Sequence, residues 1–230
     1  MEKGKATAIL LLAGKGERFG TIVPKQFIKM GDKELFLYAA SSLNVSKRIS
    51  SIIYVVPPTY EAETERILTR EKLEKNHFVI PGGNCRQESV YLALSFLAKQ
   101  GIESDSIVLI HDGDRPNLKE IYIKNTIEKA LSFGAAVTSI PVSDSVAFVE
   151  NGSVLSYYDR KKSCALQTPQ TFRFSLIFEA ENRARAKEKF YTDEGSLLLG
   201  EMGKESQIVM GDKSNIKITE PFDEIIFLAK

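Results

Sequence analysis

Cysteine is scarce. Cys85 and Cys164 are the only two in 230 residues. They stand far apart, which excludes a disulfide framework and any thiolate metal spacing. A reducing compartment, the cytoplasm, is the expectation. An excess of one charge is also missing. The formal net charge is +1, which excludes a broad nucleic-acid surface or an acidic tail, so local clusters of cations become the informative charges. No apolar run approaches the length of a membrane span, and no membrane partner is expected. The short apolar run near the start flows into a glycine-bearing loop with no small-residue cleavage site, so it reads as a first strand and not as a signal peptide. There is no internal repeat, low-complexity tract or linker. The length suits one large α/β domain.

Two familiar phosphate-binding loops are absent as well. A P-loop needs a lysine after its last glycine, and Gly20 is followed by Thr21. A dinucleotide fingerprint needs three spaced glycines and an acid closing the second strand. Gly14 and Gly16 fit, but Phe19 holds the third position and the second strand ends Val55-Val56-Pro57. What the chain has instead is the stretch from Ala6 to Phe27, a buried strand that breaks into a loop carrying Lys15, Arg18 and Lys25. Glycines let backbone N–H groups approach phosphate oxygens, and the cations add full charges. The loop is expected to hold a nucleoside triphosphate, with Arg18 and Lys25 offsetting charge during transfer. The alternative is an ordinary strand-to-helix loop with surface charge.

Strands and helices alternate after it. Helices are expected at 34–43, 60–73, 86–99 and 118–133, and strands at 49–56, 78–81, 107–110 and 135–140. That order predicts a Rossmann-like α/β fold, a mainly parallel sheet with helices on both faces and ligands beyond the carboxyl ends of its strands. The pattern breaks after Pro141. Two β-rich runs flank Asn151-Gly152, a hairpin signal, so residues 141–160 are expected to project as a β-hairpin arm. An isolated hairpin is marginal in water, and a second subunit is the expected cover, making a homodimer. Beyond the arm the expectation is a short segment at 165–168 ended by Pro169, a helix at 174–187, and a further helix capped by Thr192 or Asp193. Strands at 208–210 and 216–218 and a closing helix at 220–230 complete the reading.

Five strand-end segments carry polar residues that a purely structural loop does not need. Loops after successive parallel strands gather at one edge, so Arg18, Lys25, Arg86, Arg115 and Lys217 are expected to converge. Clustered cations repel one another unless an anion joins them, most simply phosphate.

The segments also carry a resemblance. Leu12-Ala13-Gly14-Lys15-Gly16-Glu17-Arg18-Phe19 and Pro24-Lys25-Gln26-Phe27 resemble the signature of the sugar-nucleotide pyrophosphorylase superfamily. Gly82-Gly83 with Arg86 and Ser89, His111-Asp112 with Arg115-Pro116, Gln167-Thr168-Pro169-Gln170, Thr192-Asp193-Glu194 and Asn215-Ile216-Lys217 narrow it. In order and over nearly the whole chain, these blocks are similar to those of the 2-C-methyl-D-erythritol 4-phosphate cytidylyltransferase family of non-mevalonate isoprenoid synthesis. The resemblance implies a single nucleotidyltransferase domain over 1–230 that joins CTP to methylerythritol phosphate and releases pyrophosphate. It implies that Arg18 and Lys25 stabilise the transition state and that Arg160 and Lys217 position the alcohol phosphate. Leu12, Ala13, Gly14, Gly16, Gly83, Asn84, Arg86, Ser89 and Gly113 would line the CTP side. Asp112, Arg115, Ser145, Thr168 and Thr192 would serve the alcohol-phosphate side, with Ser145 and Arg160 acting in the neighbouring subunit. Mg²⁺ is expected, held through CTP phosphates or by Asp112. The attacking group is a phosphate already largely anionic at neutral pH, so His111 reads as structural and not as a proton carrier.

Three departures stand out. Asp114 replaces a small residue and either perturbs the local charge or points outward. Lys161 to Cys164 replace a Leu-Trp pair, and Asn84 stands where an acid is common. Two readings compete: a ribitol-5-phosphate cytidylyltransferase, and a catalytically silent nucleotide-binding protein of the same fold.

Overall fold

A computed structural model describes residues 4–14 and 23–229. Its centre is β1 (Ala6–Leu11), buried along its whole length. Alternate β1 side chains enter opposite cores, as the pleat requires. Ala8 and Leu10 join one hydrophobic cluster, Ile9 and Leu11 the other. A strand buried on both faces reads as a continuous apolar run, which is how 6–12 appears in the sequence.

The other strands of this sheet are β4 (Ile49–Val56), β5 (His77–Pro81), β6 (Ile107–Asp112), β7 (Ala135–Pro141), β10 (Cys164–Arg173) and β11 (Gln207–Met210). The spatial order is β5-β4-β1-β6-β10-β7-β11. β1 pairs in parallel with β4 and β6, and β10 runs antiparallel to both β6 and β7. Helices α1 (Leu35–Val45), α2 (Glu61–Arg70) and α4 (Glu120–Phe133) cover one face through Phe36, Leu68 and Ile127. Helices α3 (Arg86–Lys99), α5 (Phe174–Ala186) and α6 (Glu194–Met202) cover the other through Leu94, Ile177 and Leu198. The chain leaves β1 toward β4 and β5, then returns to place β6 on β1's other side. That reversal opens a crevice at the carboxyl ends of β1 and β6, where open α/β sheets bind ligands.

Two expectations need correcting. The segment 165–168 is no short stub: β10 runs on through a cis Thr168–Pro169 bond to Arg173. The register shifts between Gln167 and Gln170, so Pro169, which lacks an N–H, sits at a bulge outside the ladder. Residues 216–218 form no strand. They run as irregular chain held by Ile218, whose N–H donates to the Asp114 carbonyl at 2.8 Å. Ile218 is also fully buried with Met30, Leu35 and Phe227. Those partners come from a small hairpin, β2 (Lys29–Met30) with β3 (Lys33–Glu34), from the start of α1, and from α7 (Pro221–Leu228). Strands of two residues have no period, so this hairpin leaves no signal in the sequence.

The arm is present. β8 (Ala147–Glu150) pairs antiparallel with β9 (Ser153–Tyr157) across Asn151 and Gly152, both at positive φ, as a tight hairpin turn demands. Phe148, Val149, Val154 and Tyr157 are each about half exposed or more. Among the described residues β8 and β9 pair only with each other.

Candidate active site

The crevice holds a pocket of about 510 Å³. Ala13 and Gly14 from the end of β1, Asn84, Arg86 and Ser89 at the start of α3, and Asp112 at the end of β6 all line it. Lys25 and Lys217 complete the wall with Asp114. Two glycines let these loops meet. A Cβ on Gly82 would fall 2.3 Å from the Ala13 Cβ, and one on Gly113 would fall 2.2 Å from Leu12 Cδ2 and 2.9 Å from the Leu11 carbonyl. Gly113→Ala must therefore push backbone aside. It is expected to destabilise by about 1–3 kcal/mol, as overpacking does, read as a lower Tm. An unchanged Tm would mean the loops do not meet this tightly.

Asp112 is the electrostatic centre. Its Oδ1 accepts from Arg86 Nε at 3.0 Å and its Oδ2 from Lys217 Nζ at 2.9 Å, with Arg115 Nε 3.7 Å from the same Oδ2. Burial alone would raise its pKa. The charges of Arg86, Lys217 and Arg115 override that and hold the carboxyl far below the usual range. Arg86 is gripped from the other side by Glu194, Nη1 to Oε1 at 2.6 Å and Nη2 to Oε2 at 3.1 Å. This fork pair, together with Asp112, outweighs the burial that disfavours the charged guanidinium. Glu194 is put there by Asp193, whose side chain caps α6 by accepting from the Ser196 N–H at 2.7 Å. Arg115 donates from Nη1 to the Asn215 carbonyl at 2.8 Å, and Asn215 in turn donates to the Thr168 carbonyl at 2.8 Å.

His111 is fully buried beneath Asp112. Its Nε2 lies 3.0 Å from the Arg115 carbonyl, which can only accept, so Nε2 carries the hydrogen. Nδ1 then accepts from the Thr168 hydroxyl at 3.0 Å, and that hydroxyl accepts from the Asp112 N–H at 3.1 Å. Burial pushes the imidazole down to about 4. It is neutral at physiological pH, with both nitrogens committed, and has no free position from which to move a proton. This agrees with the structural role expected of it.

The remaining candidate residues are placed as follows. Asp114 points inward: its Oδ2 meets Lys25 Nζ at 2.7 Å, and the same ammonium donates to the Ile218 carbonyl. Leu12 is fully buried in the core. Ser89 lines the pocket, where its hydroxyl accepts from the Gly83 N–H at 3.1 Å and donates to the Cys85 carbonyl. Thr192 is exposed just before the α6 cap. Ser145 and Arg160 are exposed on the arm side and line none of this pocket; Arg160 Nη1 donates to the Ser143 carbonyl at 3.0 Å. Gly16 and Arg18, with Lys15, lie outside the described residues. As a direct metal ligand Asp112 fits poorly, since Arg86 and Lys217 occupy its two oxygens. Among the described residues no cluster of three or more His, Cys, Asp or Glu could hold a metal ion.

Glu181 on α5 belongs to the support of this site. It is fully buried and accepts from Gln87 Nε2 at 3.1 Å. Burial, reinforced by the charge of Glu194, pushes it up to about 7 against the Gln87 hydrogen bond. A folded pKa above the unfolded one means stability present below about 4.5 and lost as pH rises through about 7. Glu181→Gln should therefore be more stable than the parent at pH 8, by up to ~3 kcal/mol, and close to it at pH 4.5. Comparison with the parent cancels the opposite slope contributed by His111. A difference in Tm independent of pH would contradict the assignment.

Comparison with known proteins agrees with this geometry. Residues 6–229 match the family model described as 2-C-methyl-D-erythritol 4-phosphate cytidylyltransferase. The chain is 39% identical over 216 residues to the protein of that name from Thermosipho melanesiensis, covering 94% of this chain and 93% of that protein. It is 36% identical over 216 residues to the one from Geobacillus thermodenitrificans, covering 94% and 92%. Among solved structures it is similar to the 4-diphosphocytidyl-2C-methyl-D-erythritol synthase of Anaerococcus prevotii, with TM-score 0.83, 28% identity and coverage of 99% and 97%. No helix among the described residues is long and apolar enough to cross a membrane.

Proposed function

The chain belongs to the 2-C-methyl-D-erythritol 4-phosphate cytidylyltransferase family, and we infer that its pocket joins CTP to 2-C-methyl-D-erythritol 4-phosphate. The products are 4-diphosphocytidyl-2-C-methyl-D-erythritol and pyrophosphate. The observation that carries the reading is one pocket at the carboxyl ends of β1 and β6 in which Arg86 and Lys217 hold Asp112 and Lys25 holds Asp114.

A phosphate oxygen of the alcohol attacks the α-phosphorus of CTP. A new P–O bond forms, the α–β bridging bond breaks, and its electron pair leaves on pyrophosphate. The attacking monoester has a second pKa of ~6, so it needs no general base. The neutral, doubly bonded His111 is consistent with that. What the chain must supply is alignment and positive charge where negative charge builds up. Lys25 serves the α-phosphate, with Arg18 from the same loop. Ala13, Gly14, Asn84 and Ser89 serve the cytidine triphosphate side. Lys217, Arg115, Asp112 and Thr168 form the alcohol-phosphate side. A divalent cation, Mg²⁺, brought in on the triphosphate would neutralise part of the charge on the departing pyrophosphate.

Ser145 and Arg160 lie at the base of an arm with a half-exposed apolar face. That supports a homodimer in which they complete the neighbour's pocket. The absence of a disulfide framework supports a cytoplasmic enzyme.

Base choice tests the pocket directly. Pyrophosphate release with methylerythritol phosphate should be fast with CTP and slow with ATP and GTP. Ala13 closely approaches the Gly82 turn, and this tight wall is expected to accept a pyrimidine and to clash with a purine. Equal turnover with ATP would move the protein elsewhere in its superfamily.

A further inference from the structure

Asp114 is a buried charge that cytidylyl transfer does not require. It is 6% exposed and follows Asp112 across Gly113. Its carboxylate lines the same pocket as Lys25 and Lys217. Oδ2 takes the Lys25 ammonium at 2.7 Å, and the main-chain carbonyl of Asp114 takes the Ile218 N–H at 2.8 Å. The Ile218 carbonyl accepts from the same ammonium. Lys25, Asp114 and Ile218 thus close a triangle pinned by the buried Ile218 side chain. Oδ1 has no hydrogen-bond donor among the described residues, and Lys217 Nζ lies 3.8 Å away.

A triphosphate entering this pocket meets a carboxylate bound to the cation it needs. Like charges in one site cost affinity, and a buried ammonium needs a partner when no ligand is present. Both conditions are met if the carboxylate is a substitute for phosphate. We propose that Asp114 is a positioning residue, the resident counter-ion of Lys25, which holds the ammonium aligned between turnovers and yields it to the triphosphate when CTP enters. Part of the phosphate binding energy is spent displacing the carboxylate. In return, Lys25 is already in place and tethered to Ile218 when the α-phosphate arrives. The inference rests on the CTP reading of the pocket.

The test is CTP binding to the full chain by titration calorimetry without the alcohol phosphate, together with steady-state turnover. Asp114→Asn removes the charge and keeps the shape. It should bind CTP about ten-fold more tightly, the scale of one removed like charge, while kcat falls because Lys25 loses its alignment. Asp114→Glu keeps the charge and should stay nearer the parent in CTP affinity than Asp114→Asn. The pair is coupled, so the background matters. In Lys25→Ala the carboxylate faces the triphosphate unneutralised. Adding Asp114→Asn there should tighten CTP binding by a larger factor than it does in the parent.

CTP affinity unchanged in Asp114→Asn, or changed by the same factor with and without Lys25, would overturn the proposal while leaving the cytidylyltransferase reading intact. A merely structural aspartate would lower thermal stability and kcat without tightening CTP binding. If Asp114→Asn does not fold, Asp114→Ser and the Lys25→Ala/Asp114→Asn double variant, which removes both charges together, give the same readout. A parent chain that bound no CTP would overturn the pocket reading and the counter-ion role together.

Discussion

Lys25→Ala is expected to lower kcat by about 10²–10³, the usual cost of removing one preorganised group that stabilises transition-state charge. The loss should fall on kcat more than on CTP affinity, because negative charge grows at the α-phosphate only as transfer proceeds. The structure supplies the preorganisation: Lys25 is buried and its ammonium is held by Asp114 and the Ile218 carbonyl. Lys25→Ala also leaves Asp114 buried without its main partner, so a modest loss of CTP affinity accompanies the larger loss of rate. Arg18→Lys should be damaging too, since an ammonium cannot reproduce a bidentate fork. If Lys25→Ala kept near-normal kcat, the loop would be a binding or structural element only.

The second large effect is expected to cross subunits. Arg160→Ala is expected to be nearly inactive, yet Arg160 lines none of this pocket, and its guanidinium donates to the nearby Ser143 carbonyl. If it serves a neighbour's pocket, mixing Lys25→Ala protein with Arg160→Ala protein restores activity. In a mixed dimer one site then receives both lesions and the other neither. The intact site works at its normal rate, and recovery stands well above either parent. If arm and pocket serve the same chain, every site carries a lesion and nothing returns. Subunit exchange is demonstrated first with a tag on one partner. No recovery despite proven exchange would exclude the shared site.

Much of the fold is legible because it is local. The limits of β4 and α3 follow from an apolar run closed by Pro57 and from helical spacing after Gly82-Gly83. A cap at Thr192 or Asp193 is recognisable because residue type and position satisfy a helix start, and the structure gives it to Asp193. Features set by distant partners are not legible. Pro169 reads as a terminator, and only the pairing of β10 with β7 shows that the bulge removes it from the ladder. Ile216 and Ile218 alternate like a strand, but Ile218 is held by the Asp114 main chain and by α7 instead of a strand neighbour.

The candidate site divides in the same way. Strand-end cations are visible because a parallel sheet gathers its loops at one edge, and Lys25, Arg86 and Lys217 do meet there. Which carboxylate each cation holds is invisible. Asp114 is 89 residues from Lys25, and Glu194 is 108 from Arg86. The Thr192-Asp193-Glu194 block carries Glu194, but its role appears only once α6 is packed beside α3's first turn.

The central claim is that this pocket transfers cytidylyl to methylerythritol phosphate. The most direct measurement follows pyrophosphate release with CTP and Mg²⁺, with 2-C-methyl-D-erythritol 4-phosphate and ribitol 5-phosphate compared side by side. The account predicts a much higher kcat/KM for methylerythritol phosphate. A preference for ribitol 5-phosphate, or CTP binding with no pyrophosphate released by either alcohol, would contradict it.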